Sequence, residues 1–203
     1  MTDKPDHAAP DLVALVGSRI CHDLISPIGA IGNGVELMLM EGGSKGPEMA
    51  LITESVAHAS ARIRFFRVAF GAAGSDQRIG QGELASVLSD LTNGGRVQID
   101  WAGSGDLPRR DVKLIFLMIL CLESAMPYGG KITIARGETR WTILGSSAKL
   151  KIDTALWECL AGPAAPPDIG PAQVQFLLLP DEISRQHRRL TTELTASEIK
   201  LSF

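Results

Sequence analysis

Near the N-terminus the apolar residues fall at Val13, Val16, Ile20, Leu24, Ile28, Ile31, Val35 and Met38. Steps of three and four make one continuous stripe on a helix, the face that such a helix buries in a bundle. The pattern predicts a first helix from Pro10, a residue suited to a first turn, to about Met40, where Glu41-Gly42-Gly43-Ser44-Lys45-Gly46 breaks it. Gly29, Gly32 and Gly34 cost that helix roughly 1 kcal/mol each relative to Ala. They serve either close helix packing or a flat surface. Pro47 opens a second helix to about Phe70, with a stripe at Ile52, Val56, Ala59, Ile63, Phe66 and Phe70 spaced as in a coiled-coil seam. A short connection makes the two an antiparallel hairpin. A lone hairpin has little to bury, so two copies pairing into a four-helix bundle is the expected solution.

After the linker-like Gly71-Ala72-Ala73-Gly74-Ser75-Asp76 the pattern becomes mixed. Helices are expected at Gln81 to Asn93, Asp111 to Ala125 and Ala172 to His187, the second strongly apolar and central. Strands are expected at Arg96 to Trp101, Lys131 to Ala135, Arg140 to Leu144, Lys149 to Ile152, Leu190 to Leu194 and Glu198 to Phe203, with a proline-rich loop over Gly162 to Pro171. The fold class is therefore α+β: a tail over residues 1–9, a dimerising helical hairpin over 10–74, and an α/β sandwich over 75–203.

A length of 203 residues suits one or two domains with a real core. A net charge of −3 gives no reason to expect nucleic acid or an anionic membrane as partner. Cys21, Cys121 and Cys159 lack metal-ligand spacing and sit in apolar surroundings, which fits reduced thiols in a cytoplasm. The polar start, Met1 to Pro10, has no apolar signal core. The run Leu114 to Leu122 is far short of the ~20 residues that span a bilayer. The expectation is a soluble, cytoplasmic protein.

His22 lies two residues from both Ile20 and Leu24, so at about 100° per residue it points away from the stripe. Ser18, Arg19, Ser26, Gly29 and Asn33 share its face, which is mostly small and polar. A histidine so placed is open to a partner, and Ser18, Arg19, Ser26 and Asn33 are the candidate contacts. Cys21 is expected to lean to the buried side as a core thiol. His7, His58 and His187 are scattered and form no ligand cluster, so no metal site is expected. Arg62, Arg64 and Arg67 are either contacts for an acidic partner or a solvated helix face.

The run His22-Asp23-Leu24, with Pro27 five positions after the histidine and Glu36-Leu37 downstream, resembles the phosphoacceptor helix of sensor histidine kinases. The longer segment Ser18-Arg19-Ile20-Cys21-His22-Asp23-Leu24-Ile25-Ser26-Pro27-Ile28-Gly29-Ala30-Ile31-Gly32-Asn33-Gly34 is more similar still to alphaproteobacterial histidine phosphotransferases of the ChpT family. That resemblance implies a kinase-like architecture, with the order of elements after the linker looking like an ATP-binding domain. The domain departs from the kinase pattern. Glu123 or Ser124 stands where the family's Mg²⁺-binding Asn would be, and Asp153-Thr154-Ala155 lacks the glycines of the adenine-binding turn. No glycine-rich phosphate lid occurs between Trp157 and Phe176.

The implied activity is relay of a phosphoryl group from the receiver domain of a hybrid sensor kinase, through His22, to the Asp of a response regulator, without ATP. Imidazole is partly neutral and nucleophilic near neutral pH. Asp23 either orients and tunes the ring or is a solvated acid, since adjacent helical side chains do not face each other. The protein itself is expected to bind no cofactor, and Mg²⁺ is expected in the partner's receiver domain. An ATP-using histidine kinase and a receiver-binding adaptor that carries no phosphate are the competing readings.

Overall fold

The computed structural model describes residues 11–40, 46–161 and 169–203, so the N-terminal tail with Pro10 and His7, the break at 41–45 and most of the proline-rich loop lie outside the described residues. Helix α1 is Leu12–Met40. Its N-cap is Asp11, whose Oδ1 accepts from the backbone N–H of Val13 and Ala14, both at 3.1 Å. Helix α2, Pro47–Ala69, starts on a proline as expected and runs back along α1. At their contact Gly34 is buried, and a Cβ there would meet Ile52 Cγ1 at 2.6 Å. Gly29 and Gly32 face outward, and among the described residues a Cβ at either would meet nothing within 4 Å. The glycine run thus does both jobs, close packing at Gly34 and a bare surface at the other two.

The hairpin leads into a small ladder of β1 (Arg78–Ile79) with β3 (Leu107–Pro108), two strands too short to be read from the sequence. Helix α3 (Gln81–Thr92) and strand β2 (Val97–Trp101) follow where expected. Helix α4 (Arg109–Ala125) then feeds β4 (Gly130–Arg136), which pairs parallel with β2. Strands β5 (Trp141–Ser146), β6 (Thr191–Leu194) and β7 (Glu198–Ser202) complete an otherwise antiparallel sheet in the order β2-β4-β5-β7-β6. Alternation of period two turns Ile132, Ile134, Trp141, Ile143, Ile199 and Leu201 onto the helices. The opposite face carries polar residues, including the ion pairs Lys131–Asp100 and Lys200–Glu193.

Two expectations are corrected. Lys149 to Ile152 is not a strand. Ser147 Oγ donates to Gly129 O at 2.7 Å and accepts from Lys149 N, while Lys151 N donates to Ala125 O. These bonds turn the segment away, and β7 takes the place beside β5. The chain then forms an unexpected helix α5 (Thr154–Ala161). The expected helix over 172–187 is shorter. It begins as a 3-10 turn at Pro171–Gln173, continues as α6 (Gln175–Arg185), and stops before His187, at φ 53°.

The core centres on α4, where Leu114 to Leu122 is buried without interruption. The hairpin joins this core through Phe65, which stacks on Phe116 with centroids 4.5 Å apart. The basic run of α2 makes ion pairs to α4 and α3: Arg62–Glu123 at 3.3 Å, Arg64–Asp90 at 2.5 Å and Arg67–Glu83 at 2.8 Å. All three arginines are engaged within the chain.

Candidate functional site

His22 stands near the middle of α1 with 79% of its side chain exposed. Its Nδ1 lies 3.2 Å from Asp23 Oδ1. The other oxygen of Asp23 accepts from Arg19 Nε at 3.0 Å, one helical turn back. Arg19 Nη1 in turn donates to the carbonyl of Ala172, in the 3-10 turn before α6. Both Arg19 and Asp23 are close to buried, at 12% and 13%. A carboxylate held by a guanidinium only accepts, so the geometry assigns the proton of the ring to Nδ1. That leaves the Nε2 lone pair on the solvent side.

Ser18, Ser26 and Asn33 are exposed on the same helix, as the sequence pattern predicts. Arg19 departs from that pattern, because its head is turned into the seam between the hairpin and the α/β part. Asp23 is no freely solvated acid, since both its oxygens have partners. Cys21 corrects the expectation of a core thiol: it is exposed, falling on the outward row that continues with Ile25 and Ile28. Cys121 and Cys159 are the buried thiols, and burial pushes the ionisation of Cys121 up, against the opposing pull of the nearby Arg19 charge. His58 bonds the Asn93 carbonyl at 3.1 Å and lies 4.0 Å from Glu54 Oε1.

Beside His22 an open cleft of about 760 Å³ lies between the hairpin and the α/β part. Asp23, Ser26, Arg62, Arg96, Glu123 and Pro127 contribute to its walls. Arg96, exposed and bonded to the Pro127 carbonyl at 3.2 Å, is a cleft residue that sequence reasoning missed. Nothing in the local sequence marks it. The link between Arg19 and Asp23 was readable, because positions four apart on a helix are neighbours.

The residues standing in for a nucleotide site are otherwise occupied. Glu123 pairs with Arg62, and Ser124 Oγ donates to the Cys121 carbonyl at 2.6 Å. Asp153 accepts from Leu156 N at 3.4 Å through Oδ1 and from Trp157 N through its carbonyl, so it starts helix α5. The helix carries Trp157 inward, edge-on to Phe176 at 5.4 Å.

By length and composition α1 is also apolar enough to cross a membrane. Its middle, however, holds Arg19, His22 and Asp23, which are costly in lipid.

Comparison with known proteins shows the family. Residues 81–198 match the histidine phosphotransferase C-terminal domain family. The chain is 37% identical to protein phosphotransferase ChpT of Brucella abortus (strain 2308) over 204 aligned positions, covering 96% of each. It also superposes on the 1.7 Å structure of a bacterial phosphotransferase with a TM-score of 0.78 and 36% identity, again over 96% of both chains. With the outward-facing histidine on its hairpin, the chain belongs to the ChpT family of histidine phosphotransferases, which work in two-component phosphorelays.

Proposed function

We propose that His22 is the phosphoacceptor, and that it takes its phosphoryl group from the receiver domain of a hybrid sensor kinase and passes it to the Asp of a response regulator, without ATP. The observation that carries this reading is the exposed ring whose Nδ1–H is held by Asp23, leaving Nε2 free. In the forward step the Nε2 lone pair attacks the phosphorus of the partner's aspartyl phosphate. An N–P bond forms, the P–O bond breaks, and the carboxylate leaves with its electron pair. The ring becomes cationic, and Asp23 stabilises the retained Nδ1–H. The second step is the reverse on a different carboxylate. Such transfer is governed by positioning and charge, and the partner's receiver domain supplies Mg²⁺.

Residues 10–74 act in this reading as the phosphotransfer and dimerisation unit, and 75–203 as a domain that braces it and no longer binds nucleotide. Asp153, engaged in capping α5, and the inward Trp157 support the loss of ATP binding. Ser18, Ser26 and Asn33 are the partner contacts on the open face. Cys21, Ile25, Ile28, Gly32, Val35 and Leu39 form an exposed row on α1 at steps of four and three, and Met49, Val56 and Ile63 one on α2 at steps of seven. That is the seam a second copy would cover in a four-helix homodimer. Three free thiols fit a cytoplasmic setting.

The test is a transfer assay with labelled ATP alone and then with a phosphorylated hybrid kinase. Acid-labile, base-stable label is expected only in the second mixture and is expected to vanish in His22→Ala with the dimer intact. Label from ATP alone would make the protein a kinase. Wild-type signalling output from His22→Ala would make it an adaptor.

A further inference from the structure

The pairing of His22 with Asp23 is not one that helix geometry provides by itself, because adjacent side chains diverge by about 100°. Something has to hold the carboxylate in the rotamer that reaches sideways. We propose that Arg19 is the positioning residue that does so: it fixes Asp23 against His22 and takes its own orientation from the Ala172 carbonyl of the α/β part. The inference rests on the reading of His22 as the phosphoacceptor.

The geometry divides Asp23 between two partners. Oδ2 takes the Arg19 Nε–H at 3.0 Å and Oδ1 faces His22 Nδ1 at 3.2 Å. A guanidinium is planar with N–H donors in a fixed fork, so a bond from Nε also sets the direction of Nη1. Nη1 meets the Ala172 oxygen, which also accepts from Gln175 Nε2 at 3.2 Å. Gln175 is fully buried at the first position of α6. A chain of bonds therefore runs from the base of α6 to the imidazole, through a guanidinium that is itself nearly buried. A buried charge without partners is costly, so Arg19 has strong reason to keep both. His22 is free to rotate in solvent on every other side. Its ring is aimed by Asp23, and Asp23 by Arg19.

This makes the α/β part more than a passive brace. Its turn at Pro171–Gln173 sets the plane of the carboxylate that keeps the proton on Nδ1 and the lone pair on Nε2. A bland alternative is that Arg19 only stitches the hairpin to the α/β part. The two differ in what they predict for the ring.

The experiment uses the full-length protein as Arg19→Gln and Arg19→Lys, with His22→Ala as control. The donor is a hybrid-kinase receiver domain charged by acetyl phosphate. Transfer rate is read together with the imidazole tautomer, from the ¹⁵N shifts of labelled histidine, and with a thermal melt. Arg19→Gln is expected to slow transfer by about 10–100-fold and to lose the Nδ1–H signature. Arg19→Lys keeps the charge but not the fork, so it is expected to melt like wild type with an intermediate rate and a weakened signature. Wild-type rate and tautomer in either folded variant would overturn the inference, and Arg19→Lys decides alone if Arg19→Gln fails to fold. Label persisting in His22→Ala would instead sink the acceptor assignment on which the inference stands.

Discussion

Helices α1 and α4 are the two most apolar long helices of the chain, and they meet opposite fates. In α4, with 17 residues, 12 are buried, because the sheet, α2 and α6 cover it on different sides. In α1, with 29 residues, only Gly34 is buried. Val13, Ile25, Ile28 and Leu39 are all more than half exposed. The difference follows from the arrangement of apolar residues. α4 packs them all round within one contiguous run, which only the interior of a domain satisfies. α1 spreads them over two faces and interrupts them with Arg19, His22, Asp23 and Asn33. One face meets α2 and the α/β part, and the other remains as a row of exposed apolar residues of the kind that marks an interaction surface. Helix α4 completes a fold, whereas α1 leaves an apolar row and an exposed histidine on the surface.

The sharpest way to break that contrast is to damage each helix at one apolar site. Leu117→Ala in α4 opens a cavity in fully buried surroundings and is expected to cost about 2–5 kcal/mol in a denaturant titration. Ile28→Asp in α1 is expected to leave unfolding of the α/β part almost unchanged. It should instead weaken self-association by at least about a hundred-fold in sedimentation equilibrium, through a carboxylate placed in an apolar seam. If Ile28→Asp associates as wild type does, the exposed row of α1 is not the seam. If Leu117→Ala melts as wild type does, α4 is not the centre of the core.

The same contrast explains what could be read from the sequence. Both hairpin helices, α3, α4 and most of the strands carry long periodic patterns, and their positions follow to within a residue or two. The exposure of His22 follows from its phase against Ile20 and Leu24. What failed depended on tertiary partners. Lys149 to Ile152 alternates as a strand does, but the edge of β5 is taken by β7, a strand about fifty positions later. Val13, Ile28 and Val35 belong to the stripe by spacing yet are exposed, because that stripe is shared between the chain's own α2 and a surface it does not cover. Cys21 was misplaced for the same reason. The roles of Arg62, Arg64 and Arg67 lie with acids on α3 and α4 up to 61 positions away, which no local pattern reveals. Arg19 is the instructive case, since its spacing to Asp23 was visible while its bond to Ala172, 153 positions on, was not.

The glycines of α1 sharpen the comparison within a single helix. Gly34→Ala puts a methyl group against Ile52 Cγ1, a branch near the root of its side chain, with the Glu48 carbonyl 3.4 Å away. The overpacking cost of about 1–3 kcal/mol outweighs or cancels the gain in helix propensity. Gly29→Ala meets nothing within 4 Å, so it is expected to stabilise the helix by up to about 1 kcal/mol. Thermal melts of the two variants should move in opposite directions, or Gly34→Ala should stay level while Gly29→Ala rises. Equal stabilisation by both would show that α1 and α2 do not depend on close approach at Gly34.

The smallest effect is expected where the two regions are joined by charge. Arg62 and Glu123 pair at 3.3 Å with part of each side chain in solvent, beside the stacked Phe65 and Phe116 that carry the apolar contact. Solvent screening and side-chain entropy leave such a pair about 0.2–1 kcal/mol. A double-mutant cycle of Arg62→Ala and Glu123→Ala should return a coupling in that range, shrinking as salt is raised. Phe65→Ala, by contrast, should cost about 3–5 kcal/mol whatever the salt concentration. A coupling for the ion pair as large as the loss at Phe65 would reverse the ranking, and would mean that the hairpin is held to α4 by charge rather than by the buried ring.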